Sequence, residues 1–293
     1  MFNEHRQQLH DLYNEARNHF IQNPQELIAL EEHFARETFN IITNNLDEFV
    51  ADYNEATYLY PFWAKYPPKD RGRQPVGDQI PWIEVGEHSI GHKLSRLLNS
   101  RYNIREIGLP SGSDDRFLLT SDNLADISTI TNSVMVFSDV KSVGPRDDAE
   151  HTVLSPYQIS GDGVWSNPED NLHNSKMIAS GRRTSHDVWP AIPPVYALSD
   201  GTMAPVVHIY LKPVYSMLSL TSDRSGQPLK KIRIITVPNG LLLTQQPGYL
   251  NQYPGLFFPG KDDKGKDPLK LRCRVSFDLL RQIHSWRVQD IVI

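Results

Sequence analysis

Residues 133–143 read SVMVFSDVKSV. Val134, Val136, Phe137, Val140 and Val143 give this run the apolar content of a buried strand rather than a solvated edge. Side chains alternate across a strand, so Asp139 and Lys141 leave the same face. An acid and a lysine at the end of a hydrophobic strand have two readings. One is a structural ion pair. The other is a site for metal-dependent phosphodiester hydrolysis, in which carboxylates hold Mg²⁺ beside the scissile phosphate. There the lysine stabilises the developing phosphorane charge and orients the attacking water.

Working outward, Asp114 lies 25 residues upstream in SGSDDRFLLTS, just before another strand-like run. A third charged group favours the catalytic reading, since a buried Asp–Lys pair needs no further partner. SGSDD is also a good turn, which leaves Asp114 an ordinary structural explanation. Asp-x-Lys alone is common in protein chains and decides nothing.

Strands are expected near Arg105 and over 116–120, 133–142, 205–211 (PVVHIYL), 231–237 (KIRIITV) and 271–277 (LRCRVSF). Residues 3–22 and 25–50 carry apolar residues at helical spacing, with Asn23 as cap and Pro24 opening the second helix. A further helix is expected from about Trp82 to Asn99, with Glu84 and Glu87 on one face. Residues 61–80, rich in Pro and Gly, read as an extended loop, and 144–200 as irregular. The expected fold class is α/β, a mixed central β-sheet flanked by helices. We expect one domain over residues 1–293.

The single cysteine, Cys273, excludes an intramolecular disulfide and reads as a packing residue in an alternating strand. No apolar stretch approaches the roughly 20 residues needed to span a bilayer. MFNEHRQQLH lacks the apolar core of a signal peptide, and a cytoplasmic location is expected. Net charge is −5, which does not advertise a nucleic-acid binder, but its distribution is uneven. Residues 1–56 carry eleven acids against three arginines, while basic residues cluster at 230–233 and 261–274. An acidic helical amino-terminal region keeping a basic cleft soluble is one reading, and ordinary surface charge the other. His88 and His92 have a spacing that can bind zinc, but without the HExxH glutamate. Neither GxGxxG nor GxxxxGK[ST] occurs.

Longer segments carry a resemblance. ADYNEA (51–56), GDQIPWIEVGE (77–87), REIGLP (105–110), DVKSVGPRD (139–147), APVVH (204–208), VPNGL (237–241) and PGKDD (259–263) occur in the order of one known family. The chain resembles the BglI-type restriction endonucleases of the PD-(D/E)xK nuclease superfamily over nearly its whole length. The resemblance implies a type II restriction endonuclease of a restriction–modification system. Such an enzyme is a homodimer that hydrolyses double-stranded DNA with Mg²⁺ at an interrupted palindrome, GCC-NNNNN-GGC, leaving 3′ overhangs. A cognate DNA methyltransferase would protect the host.

By the same resemblance the catalytic set falls on Asp114, Asp139 and Lys141, with Glu87 as an added metal ligand and Glu84 as the alternative. Ser113 stands where the superfamily pattern has proline, at a position that shapes the turn. The implied DNA-binding residues are Asp147, Lys261, Asp263, Arg272 and Arg274, the last four in a reading segment at 259–276. Guanine O6 and N7 accept from Lys and Arg, and cytosine N4 donates to Asp, so this mixture suits G·C pairs. Two rivals stay open: a nuclease of the same fold with another target, and a non-catalytic DNA-binding relative.

Overall fold

The computed structural model describes residues 2–58, 86–106, 115–141, 150–215, 228–245, 248–260 and 267–293. Three helices come first: α1 (Phe2–Gln22), α2 (Pro24–Asn44) and α3 (Leu46–Tyr58). The helix expected over 25–50 is thus two, interrupted at Asn45, whose side-chain amide folds back to donate to Ile41 O. Asn23 does occupy the N-cap position of α2, with Pro24 behind it. Its side chain nevertheless serves the preceding helix, donating to His19 O at 3.0 Å rather than accepting from α2. A π-helical turn (Glu87–Gly91) then runs into α4 (His92–Asn99). The end of that helix is where the sequence places it, while its expected start lies outside the described residues.

Strands β1 (Asn103–Glu106), β2 (Asp115–Thr120) and β3 (Ser133–Val140) follow, then β4 (His151–Leu154), β5 (Met177–Ser180), β6 (Ser185–Val188) and β7 (Val195–Ala197). The long β8 (Met203–Tyr215) and β9 (Leu229–Val237) lead to a short helix, α5 (Gly240–Thr244). Strands β10 (Phe257–Pro259), β11 (Cys273–Ser276) and β12 (Val288–Val292) complete the set, with a helix at Phe277–Ile283. Phe277 was expected at the end of a strand; Ser276 caps Leu279 N instead and turns the chain into the helix. The stretch 144–200 is less irregular than expected, since it contains β4 to β7.

Among the described residues the main sheet runs β1-β2-β3-β8-β9-β12, with β7 also on β8. Only β3 and β8 pair in parallel; the other pairs are antiparallel. The sheet is therefore mixed, as expected. All eight residues of β3 are buried, because the sheet is covered on both faces. Val134, Val136, Val207, Ile209, Leu211, Ile232 and Ile234 face one way, into a core with Leu30, Phe34, Phe49 and Leu94 from α2, α3 and α4. Tyr210, Ile235 and Val237 face the other way, onto Leu154, Phe257, Val275 and Phe277. That second cover is a small sheet, β10-β11-β4, with the helix that follows β11. Cys273 is buried in it. The alternation sends Met135, Phe137, Asp139 and Lys141 to the face that carries the small sheet.

One node ties the helical layer to this arrangement. Asn239 donates its amide to Pro194 O and Val206 O, both at 2.9 Å, and its backbone N–H to Glu31 Oε1 at 2.5 Å. The other Glu31 oxygen takes Arg287 at 2.6 Å, both residues fully buried. Burial pushes the Glu31 carboxyl up, against the pull of the guanidinium.

Candidate active site

Asp139 is the penultimate residue of β3, on a parallel ladder opposite Tyr210 of β8. The ladder continues through Val140, opposite Leu211, and Lys141 N donates to Leu211 O at 2.7 Å. Both side chains do leave one face, and Lys141 Nζ reaches Asp139 Oδ2 at 2.5 Å. The lysine is 23% exposed and the aspartate 3%. The pair thus sits at the lip of the sheet, with its cation toward solvent and its carboxylate inside.

Gln158 completes the surroundings of Asp139. It lies in a 3-10 turn (Pro156–Gln158) just after β4, and its Nε2 donates to Asp139 Oδ2. Its Oε1 accepts from Ser155 N at 3.0 Å, and its backbone carbonyl accepts from the Tyr210 hydroxyl. Tyr210 stacks on His208 with ring planes 5° apart. Burial, then the Asp139 charge, holds the Tyr210 phenol well above its ordinary pKa, so it stays a donor. Two residues beyond Tyr210 on the same face, Lys212 Nζ donates to His151 O at 3.1 Å and lies 5.2 Å from the centroid of the Phe277 ring. The sequence marks Gln158 only locally, as the last residue of a Ser-x-x-Gln capping pattern, and does not tie it to Asp139. An uncharged amide in a three-residue turn, 19 positions from its partner, has no periodicity to betray it.

The small sheet presents two of the residues assigned to DNA reading. Arg274 is half-buried on β11, between Phe258 of β10 and Val153 of β4. Its Nε is buried without a hydrogen-bond partner among the described residues. Arg272 is exposed just before the strand, and its carbonyl accepts from the His186 ring at 3.0 Å. Two apart along an extended chain, the two arginines share a direction. Glu87 opens the π-helical turn. That turn's helix is fixed to α3 by Lys93, which contacts Glu48 at 3.2 Å and Asp52 at 2.6 Å. Asp114, Glu84, Asp147, Lys261 and Asp263 lie outside the described residues, as do the side chains of Glu87 and His88. Among the described residues, no three His, Cys, Asp or Glu side chains gather as a metal site.

Residues 8–291 match the family described as Restriction endonuclease BglI. The chain belongs to the BglI restriction endonuclease family. Its activity is accordingly that of a type II site-specific deoxyribonuclease, cleavage of DNA. A curated relative, the type II restriction enzyme BglI of Bacillus subtilis, is 48% identical over 288 residues, covering 97% of this chain and 96% of the relative. The crystal structure of the restriction endonuclease BglI bound to its DNA recognition sequence superposes with a TM-score of 0.92 at 47% identity, covering 100% of this chain and 99% of that one. The tetrameric restriction endonuclease SfiI bound to cognate DNA superposes with a TM-score of 0.61 at 14% identity, over 92% of this chain and 85% of that one. That second likeness shows a common fold.

Proposed function

We propose that this chain is a homodimeric restriction endonuclease that cuts double-stranded DNA at GCC-NNNNN-GGC with Mg²⁺, leaving 3′ overhangs. The observation that carries the chemistry is the Lys141–Asp139 contact of 2.5 Å at the exposed end of a strand buried on both faces. A carboxylate with a lysine at the rim suits a hard divalent cation and a phosphate together. Asp139, with Asp114 and Glu87, would hold Mg²⁺, which supplies positive charge against the phosphate and makes a nearby water more acidic.

The chain's own groups do the rest. Lys141 Nζ holds the attacking water in line with the scissile bond and sets its charge against the oxygens that gain electron density. A bond forms from the water oxygen to phosphorus and the bond to the 3′ oxygen breaks, leaving a 5′ phosphate and a 3′ hydroxyl. Each subunit reads one GCC half-site in the major groove through Asp147, Lys261, Asp263, Arg272 and Arg274, with the dimer two-fold on that of the DNA. The unread central bases are constrained through backbone contacts and shape. A cognate methyltransferase would act on the same sequence. Among the described residues no helix is long and apolar enough to cross a membrane, and the reading places the enzyme in the cytoplasm with its DNA substrate.

The test is incubation of the purified protein with a plasmid holding one GCC-NNNNN-GGC site, in Mg²⁺ or in EDTA. Linearisation at that site, only with Mg²⁺, is the expected result. Mapped ends at another sequence would keep the active site and overturn the target. Binding without nicking would overturn the catalytic reading in favour of a non-cleaving relative.

A further inference from the structure

We propose that Gln158 and Tyr210 are positioning residues that fix the metal-binding carboxylate of Asp139; this rests on the reading of Asp139 as a metal ligand. A ligand carboxylate gains affinity when its orientation is set before the ion arrives, and its supporting hydrogen bonds set it. Gln158 Nε2 and Lys141 Nζ both contact the same oxygen, Asp139 Oδ2. The lysine can also serve phosphate and water, whereas the amide is held by its own turn and presents its NH₂ to Asp139.

The direction of that amide is determined at both ends. Its oxygen accepts from Ser155 N at 3.0 Å. A flip would set the amide oxygen against the Asp139 carboxylate and the NH₂ group against a backbone N–H, unfavourable on both sides. The turn itself is anchored by Tyr210, whose hydroxyl donates to the Gln158 carbonyl. Tyr210 is in turn the register partner of Asp139 on the neighbouring strand. The chain of contacts is therefore closed: β3 to amide, amide to turn, turn to β8, β8 back to β3. A neutral donor suits the position. It favours the ionised carboxylate without bringing a second cation next to the metal. A glutamate there would set two carboxylates against each other.

The experiment measures Mn²⁺ affinity directly, from the electron paramagnetic resonance signal of free aqueous Mn²⁺. The protein is full-length and bound to a duplex with an uncleavable linkage at the scissile position. Gln158→Met keeps the side-chain length and removes the donor. Tyr210→Phe keeps the ring and removes the hydroxyl that anchors the turn. The expected result is an affinity about 10–100-fold weaker for Gln158→Met, and a smaller loss in the same direction for Tyr210→Phe. In cleavage assays the Mg²⁺ needed for half-maximal rate rises with it, and saturating Mg²⁺ restores most of kcat. Thermal melting of both variants checks the fold, and Tyr210→Phe decides if Gln158→Met is unfolded. Wild-type Mn²⁺ affinity in either folded variant, with Asp139→Ala having lost it, overturns this inference alone. A rate deficit that saturating Mg²⁺ leaves unchanged overturns it too. Retained affinity in Asp139→Ala overturns the metal-site reading and this inference together.

Discussion

Two donors, from Gln158 and Lys141, meet on one oxygen of Asp139. Asp139→Ala and Lys141→Ala should each abolish plasmid cleavage while leaving the thermal melt near wild type; normal cutting by either variant would refute its role. Arg274→Ala should cost about 1–3 kcal/mol of DNA affinity and relax base choice, measured by binding to cognate and singly substituted duplexes. A uniform loss across sequences would instead mark a phosphate contact. His208 predicts a pH dependence of stability. Its Nε2 accepts from Ser160 N at 3.2 Å, so the ring is neutral with its proton on Nδ1. Burial holds its pKa down at about 3, against an ordinary value of 6.5. The unfolded chain therefore binds a proton that the native state refuses, and stability falls as pH drops below about 6.5 toward 3. The slope from this one group is about 1.4 kcal/mol per pH unit. Urea melts of wild type and His208→Gln over pH 4–7 should differ by that slope; parallel curves would contradict it. Asp139 and Lys141 were legible in the sequence because charges inside an apolar run stand out. Gln158 and Glu31 were not, because their meaning comes from partners that only the folded chain brings near.

At the scale of elements, the amino end of α5 is the tightest joint. A Cβ on Gly240 would stand 1.9 Å from Gly161 O and 2.6 Å from Ser160 O, backbone atoms that cannot turn aside. Gly240→Ala should therefore destabilise the fold by about 1–3 kcal/mol or more, read from urea denaturation. A near-neutral effect would mean that the 160–161 backbone yields. The same backbone leads back within two residues to Gln158, so this variant should also weaken the hold on Asp139. Elements with many residues were readable in advance: α1, β3, β8 and β9 each carry an extended apolar pattern. The pieces HTVL, MIAS, SHDV and VYA are too short for alternation to register, so β4 to β7 looked irregular. VQDIV of β12 was hidden in the same way. The break at Asn45 lacks proline and glycine, and its local sign is the slight one of Asn45 with Glu48 three residues on. β4 proves to be shared property. It pairs with Arg274 through Val153 and runs on into the turn that holds Asp139, so β11 and β3 are joined through one stretch of backbone.

For the molecule as a whole, light scattering should give twice the 33.5 kDa chain mass, as a two-fold target requires. A monomer at working concentration would contradict the proposed dimer. The buried Glu31–Arg287 pair spans 256 residues and should be worth most when half of it is removed. Arg287→Met should cost about 3–5 kcal/mol, and Glu31→Gln added to it should recover part of that loss in urea melts. Overall architecture was readable from pattern, while this long closure was not. The closure has a consequence for synthesis. Arg287 precedes β12, whose Asp290 clasps Arg233 at 2.6 and 2.8 Å on β9. A growing chain that has emerged only as far as β9 would enclose Glu31 with no cation and leave the sheet without its last strand. The nuclease therefore cannot mature on the ribosome ahead of residues 285–292, and truncation there should leave no partially active enzyme to threaten the genome of its host.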